Sequence, residues 1–186
     1  AKILEKILKR NKSEIFVGLI ERFNSTVVSL KEYVNRKKIF NIDINRSARV
    51  AKRNKDIDVI SDLMIHDIGV VLQLVGSEPV DMRSVGVSVL SKTEDIANAR
   101  IEFANGCVAN LNVSRVSSKK VREIRVFQSS GYLSLDFMNQ AGHHVNVGTA
   151  GLDKQEVPIE KGEPLKLELA SFTDSVRNRR DPKVGG

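Results

Sequence analysis

A chain of 186 residues with 41% hydrophobic side chains has room for one ordinary domain plus a small appendage, and is too apolar to stay disordered. No apolar run reaches the ~18 residues of a membrane helix, no secretory leader pattern is present, and the single cysteine, Cys107, excludes an intrachain disulfide or a cysteine-based zinc site; a cytoplasmic protein is the expectation. The formal charge of +7 gathers in residues 2–12, 36–38, 46–55, 119–125 and 177–183, which suits an anionic partner (nucleic acid, a membrane surface, a phosphorylated small molecule) or a merely solvated basic surface.

Taken in chain order, residues 1–11 place Ile3, Leu4, Ile7 and Leu8 at helical spacing. Residues 14–20 (EIFVGLI) form a nearly continuous apolar run, the mark of a buried parallel strand. Helix followed by buried strand is the tail of a βαβ layer, and the chain opens in mid-helix without a cap, so it reads as a piece of something longer. Residues 25–36 form an amphipathic helix with Ser25 or Asn24 as candidate N-cap. Phe40, Ile42 and Ile44 then alternate with Asn41, Asp43 and Asn45 as in a strand, and residues 46–57 are a basic loop. The strongest helix spans residues 58–75, with Leu63, Ile65, Ile68, Val71, Leu72 and Val75 apolar and Gly76 as its stop.

From Pro79 the period becomes two. Val85, Val87 and Val89 alternate with small or polar residues, as do Ala97, Ala99, Ile101 and Phe103, and later Ala109, Leu111 and Val113. Asn105-Gly106 signals a two-residue hairpin. Further strands fit residues 121–128, 131–138 and 143–149, and residues 164–179 close as a helix with Leu165, Leu169, Phe172 and Val176 on one side. The fold class is therefore α+β: a large, open, mostly antiparallel sheet with helices packed on one face.

Chemistry-bearing residues are few. His143 and His144 are adjacent in a strand, point to opposite faces, and read as ordinary strand residues. His66 lies four residues after Asp62 in the helix 58–75, which places the two side chains on one face. A carboxylate beside an imidazole fixes its tautomer and raises its basicity, as a general base requires. Such pairs are also common on solvated helices, but two polar groups inside the apolar run 59–66 need a reason to be tolerated. Asp67 follows directly, turned about a third of the way round. No other His or Cys offers spacing for a metal, and neither G-x-S-x-G nor G-x-G-x-x-G occurs.

Four stretches together resemble the Gfo/Idh/MocA oxidoreductases. They are residues 17–24 (VGLIERFN), residues 62–68 (DLMIHDI), residues 101–106 (IEFANG), and Glu163-Pro164-Leu165 leading into Ser171-Phe172. The residues around Glu21-Arg22-Phe23-Asn24 and Glu163-Pro164-Leu165 are most similar to members that oxidise nucleotide-linked N-acetyl sugars. The resemblance implies a Rossmann domain followed by the open-sheet domain. Residues 1–20 would then be the last helix and strand of a truncated Rossmann domain, and 21–186 a substrate-binding and oligomerisation domain. It also implies hydride transfer between NAD or NADP and a sugar, polyol or nucleotide-sugar carbon, with His66 as acid/base and Asp62 orienting it or contacting the sugar.

This chain departs from the family pattern in lacking the Gly-rich loop and the Glu-Lys-Pro lysine, so no cofactor-binding residue is assigned within it and the fragment alone is expected to be inactive. Ser25 stands where relatives often have proline, and Gly69 where an acidic residue is frequent. Secondary candidates for substrate contact are Arg22, Asn24, Arg46, Arg49 and Asp67; the basic loop 46–55 suits a diphosphate, as arginine forks do. Lys119, Lys120 and Arg122 read as a charged turn that discourages edge pairing. Expected partners are the sugar and further copies of the chain through the open sheet face, with no membrane and no metal. The competing readings are a basic nucleic-acid-binding module, which 5% aromatic content disfavours, and a pure assembly domain.

Overall fold

The alternating segments pair into one eight-stranded sheet in the order β2-β3-β4-β1-β5-β6-β7-β8. The strands are β1 (Ile39–Ser47), β2 (Pro79–Val87), β3 (Ile96–Phe103), β4 (Val108–Ser114), β5 (Val121–Gln128), β6 (Gly131–Asp136), β7 (Ala141–Gly148) and β8 (Gly151–Glu156). Among the described residues, three α-helices have complete bounds: α1 (Ser25–Tyr33), α2 (Ile65–Val75) and α3 (Pro164–Asn178). This computed structural model describes residues 6, 7, 10, 16–49, 56–148, 151–182 and 184. Every strand pair is antiparallel except β1 with β4.

Strand periodicity decides what faces the helices. On β1, Ile42 and Ile44 lie opposite Val126 and Ile124 of β5 and beside Ala109 and Leu111 of β4. All six are buried, in one core with Val70, Val71 and Leu74 of α2. Full burial of a side chain the size of Ile or Leu is worth about 1.5–3 kcal/mol, so this inner face carries most of the stability. Asn41, Asp43 and Asn45 point the other way. There Asn112 donates to Asn45 (3.1 Å) and accepts from Asn98, while Asn110 donates to Asp43 (2.8 Å). One greasy face and one polar face is the arrangement expected of a sheet covered on one side.

The same alternation carries past Ile44 to Arg46, which must turn inward, and Arg46 faces Arg122 of β5 in register. Strand β1 therefore runs through Ser47 and places Arg46 in the core, where a loop was expected. Phe40 also differs from expectation: it is 54% exposed while Ile39 is buried. The register between β1 and β5 shifts between Ile39 and Asn41, and such a bulge reverses the alternation at one residue.

Other boundaries moved for local reasons. Helix α1 stops at Tyr33, and residues 36–38 form a separate 3-10 turn. The β3–β4 hairpin uses three loop residues rather than two. Gly106 donates to the Phe103 carbonyl at φ 83°, the position that closes a type I turn with a bulge. Strand β8 was missed, since Leu152 is its one apolar residue and all six of its positions are exposed. On α3 most of the expected apolar side is turned out: Leu165, Leu169 and Val176 are exposed, Phe172 is half-buried against Phe16, and Glu168 and Ser175 are the buried residues. Residues 16–19 take part in no strand, so the buried strand expected over 14–20 is not formed at its described positions, and Val17 is exposed. The rest of that segment and most of the helix expected over 1–11 lie outside the described residues.

Of the two candidate caps for α1, Asn24 is the one used. Its Oδ1 accepts from the Thr26 amide (3.1 Å), and its Nδ2 donates to Glu21 Oε2 (3.2 Å) and the Phe137 carbonyl (3.3 Å). Asn24→Ala should therefore cost about 1–3 kcal/mol in a urea titration. Ser25→Ala should cost less, because Ser25 does not cap the helix; equal losses would contradict the cap assignment.

Candidate functional site

The helix bearing Asp62 and His66 is not uniform. Asp58 caps its start, accepting from the Ser61 amide (2.8 Å) and hydroxyl (2.9 Å). Residues Ile60–Met64 then form a π-helical turn before α2 proper begins, and Gly76 ends the helix at φ 59°, as expected. Single π turns inside helices recur at functional sites because they re-aim side chains against the regular 3.6-residue period. Asp62 sits in the π turn and His66 in the first regular turn. Both line one cavity of about 280 Å³, close to the lower end of small-molecule pockets (~300 Å³).

The cavity also meets Glu21, Arg46, Arg49, Arg115 and Arg122. Four of these, Glu21, Arg46, Arg115 and Arg122, are locked in ionic contacts. The Arg46 fork grips Asp67, Nε to Oδ2 at 2.8 Å and Nη2 to Oδ1 at 2.6 Å, and its Nη1 donates to Glu21 Oε1 at 3.0 Å. Side-chain exposures of 2% for Arg46, 4% for Glu21 and 0% for Asp67 make this a buried ionic triad. Arg122 reaches the same Glu21 Oε1 at 3.2 Å from the partly open rim. Arg115 donates to the Ile57 carbonyl and lies 3.6 Å from Asp95, a carboxylate that also accepts from the Val89, Leu90 and Ser91 amides.

His66 is half-buried, and its Nδ1 has no hydrogen-bond partner among the described residues. Burial, reinforced by the Arg46 charge, pushes its pKa below the usual imidazole value, with Glu21 and Asp67 opposing. A neutral imidazole at neutral pH can accept a proton, which suits a general base.

The remaining candidates separate by position. Arg49 lies at the cavity and donates to the Ser118 carbonyl (2.9 Å). Arg22 donates instead to Gln73 (3.0 Å) on α2, outside the residues that line the cavity. Asn24 and Asp67 are buried and engaged as described. His143 and His144 do face opposite ways, toward Tyr132 and Tyr33 respectively. Cys107 is buried and its thiol is pushed up to about 11 by burial, so it is not a reactive nucleophile. Among the described residues no group of three or more His, Cys, Asp and Glu side chains converges as a metal site would, and no helix is long and apolar enough to cross a membrane. Glu21, Arg115 and Arg122 were not foreseen as site residues. The signal for Arg122 was its place on a strand, since its inward register on β5 sets it opposite Arg46. The basic-module reading weakens here, because Arg46, Arg115 and Arg122 are already matched to carboxylates.

Gly69 has a steric role: a Cβ there would lie 3.0 Å from Leu19 Cδ1, so the segment before Glu21 packs directly on α2. A side chain at this position would require the Leu19 side chain to shift.

Residues 34–134 match the family model of the GFO/IDH/MocA C-terminal domain. UDP-N-acetylglucosamine 3-dehydrogenase of Acidithiobacillus ferrooxidans is 39% identical over 145 residues, covering 75% of this chain and 46% of that protein. A solved structure of that enzyme superimposes with a TM-score of 0.90 at 31% identity, over 99% of this chain and 60% of the other. Aldose-aldose oxidoreductase from Caulobacter crescentus shares the fold, with a TM-score of 0.79 at 18% identity over 95% and 58%. The chain thus spans about half the length of the curated relative it matches.

Breaking a buried ion pair from one side strands a charge and costs about 3–5 kcal/mol, whereas an exposed pair is worth at most about 1 kcal/mol. Arg46→Met should fall in the first class and Arg122→Gln, with a 46% exposed side chain, in the second. Denaturant midpoints of the two variants measure the difference; comparable losses would show that the triad is not the buried anchor.

Proposed function

The chain belongs to the Gfo/Idh/MocA family through its C-terminal domain, and on that premise we propose that it is the substrate-side part of an NAD- or NADP-dependent sugar dehydrogenase, acting on a nucleotide-linked N-acetyl sugar. The observation that carries the reading is the shared cavity of Asp62 and His66, with the imidazole held below its usual pKa.

The cavity is of sugar size, and the sequence contains no Gly-rich phosphate loop. The residues present therefore do not fit a dinucleotide. We assign cofactor binding to a Rossmann domain that residues 1–20 adjoin, and substrate binding to residues 21–186. Nicotinamide, when bound, supplies the hydride acceptor. This chain's task is the proton: as the carbinol carbon is oxidised to a carbonyl, the hydroxyl proton passes to neutral His66, while Asp62 orients the imidazole or the sugar. The relative's printed substrate supports a UDP-linked sugar. Arg49 and Arg122, at the cavity, supply the cationic edge that a diphosphate needs. Arg22, Asn24 and Asp67 have structural partners and are assigned supporting roles; Arg46 forms the floor.

The open sheet face is assigned to self-association in a cytoplasmic homo-oligomer. It is uncovered, it carries an ordered Asn ladder with exposed Val85 and Val87 beside it, and like faces pair readily about a two-fold axis. Asn112→Arg at its centre should lower the mass seen by light scattering; an unchanged mass would move the interface elsewhere.

The activity is tested on the protein made from its complete gene, with UDP-N-acetylglucosamine and simple sugars, following nicotinamide reduction. Turnover of a sugar substrate is expected, and His66→Ala should cut kcat by about 10²–10⁴. Asp62→Asn should cost less. A His66→Ala enzyme within a few-fold of wild type would remove the acid/base assignment.

A further inference from the structure

Glu21 lies in a four-residue 3-10 turn (Ile20–Phe23) and is only 3% exposed. Its Oε1 accepts from Arg46 (3.0 Å) on β1 and from Arg122 (3.2 Å) on β5, and its Oε2 accepts from Asn24 (3.2 Å), the cap of α1. One carboxylate thus joins two strands and a helix start beneath the cavity. Arg46 in turn grips Asp67, the chain neighbour of His66. A buried carboxylate shared by two guanidiniums is more than a filler, because its removal leaves both cations facing the cavity without their common counter-ion.

We propose that Glu21 is a positioning residue for the His66 base, holding Arg46 and Arg122 in place and setting the net charge that the imidazole meets. The proposal rests on the reading of His66 as the acid/base. The charged groups around His66 are Asp62 and Asp67 on its own helix segment, Arg46 and Arg49 from β1 and its end, Arg115 beyond β4, and Arg122 on β5. Positive charge opposes protonation of the imidazole and negative charge favours it, so the two partners of the Glu21–Arg122 pair act on His66 with opposite signs.

The test is a titration of the three imidazoles by NMR in the 186-residue chain. Glu21→Gln, which keeps the shape and loses the charge, should lower the His66 midpoint by about half a pH unit, and Arg122→Gln should raise it by a similar amount, the size of one nearby charge at high effective dielectric. In the double variant the midpoint should return to within about 0.2 of wild type, because one charge of each sign has gone. His143 and His144 should not move.

A purely structural role for Glu21 predicts no such return. An unmoved midpoint in folded Glu21→Gln, or a double variant that fails to return, overturns the proposal. If Glu21→Gln does not fold, the rim variant Arg122→Gln decides, and no rise there overturns it. The titration needs no turnover, so it separates from the functional reading. An enzyme that oxidises sugars while the cycle is flat overturns the positioning role alone. A cycle that behaves as expected in a protein without dehydrogenase activity overturns the sugar-oxidation reading alone.

Discussion

The site depends on one interaction, the Arg46 fork. A guanidinium at the inward position of a central strand has lost most of its water, a cost of several kcal/mol that only close, well-shaped anions offset. Asp67 provides two oxygens and Glu21 a third. This geometry is available because the strand period that buries Ile42 and Ile44 also turns Arg46 inward. The pair fixes the beginning of α2 against β1, and so fixes the helical turn that presents His66. The 3-10 turn at residues 20–23 and the rim of β5 are tied to the same cation through Glu21. Four segments far apart in sequence thus share one anchor.

Around that anchor, the sheet divides its labour by face. The inner face packs apolar residues of β1, β4 and β5 against α2 and is rigid for the ordinary reason that every side chain there has neighbours on all sides. The outer face is polar and orders itself by side-chain hydrogen bonds between neighbouring strands. The cavity opens between the inner face and the start of α2, where the packing gives way to charge. Its position is a consequence of the layers: it is where the covering helix begins and its first turns depart from the regular period at Ile60–Met64.

Departures from simple periodicity occur both at the site and away from it. The π turn re-aims Asp62, the bulge at Ile39–Asn41 puts Phe40 outside, and Gly69 admits Leu19 against the helix. Within the described residues, nothing in the structure explains the exposed apolar side chains of α3 or the exposed Val17.

Much was already written in the residue order. The alternation at residues 97–103 and 109–113 named two central strands and their inner faces, and the run 58–75 ending at Gly76 marked the helix of the site. The Asp62 to His66 spacing was readable because residues about one helical turn apart face one side, and both still line one cavity across the π turn. Such features are local, and local sterics determine them. Arg46 is the opposite case. In sequence it begins a basic stretch and resembles a solvated loop; in the fold it is the last inward residue of β1, between two carboxylates 25 positions before it and 21 after it. The alternation of Ile42 and Ile44 extends to Arg46, but what allows a charge to stay at that inward position lies in partners that strand pairing brings together. Glu21 and Arg122 were hidden for the same reason. The sequence by itself determined the inner strands, the helix of the site and the candidate base; the tertiary structure alone decided which charges meet beneath it.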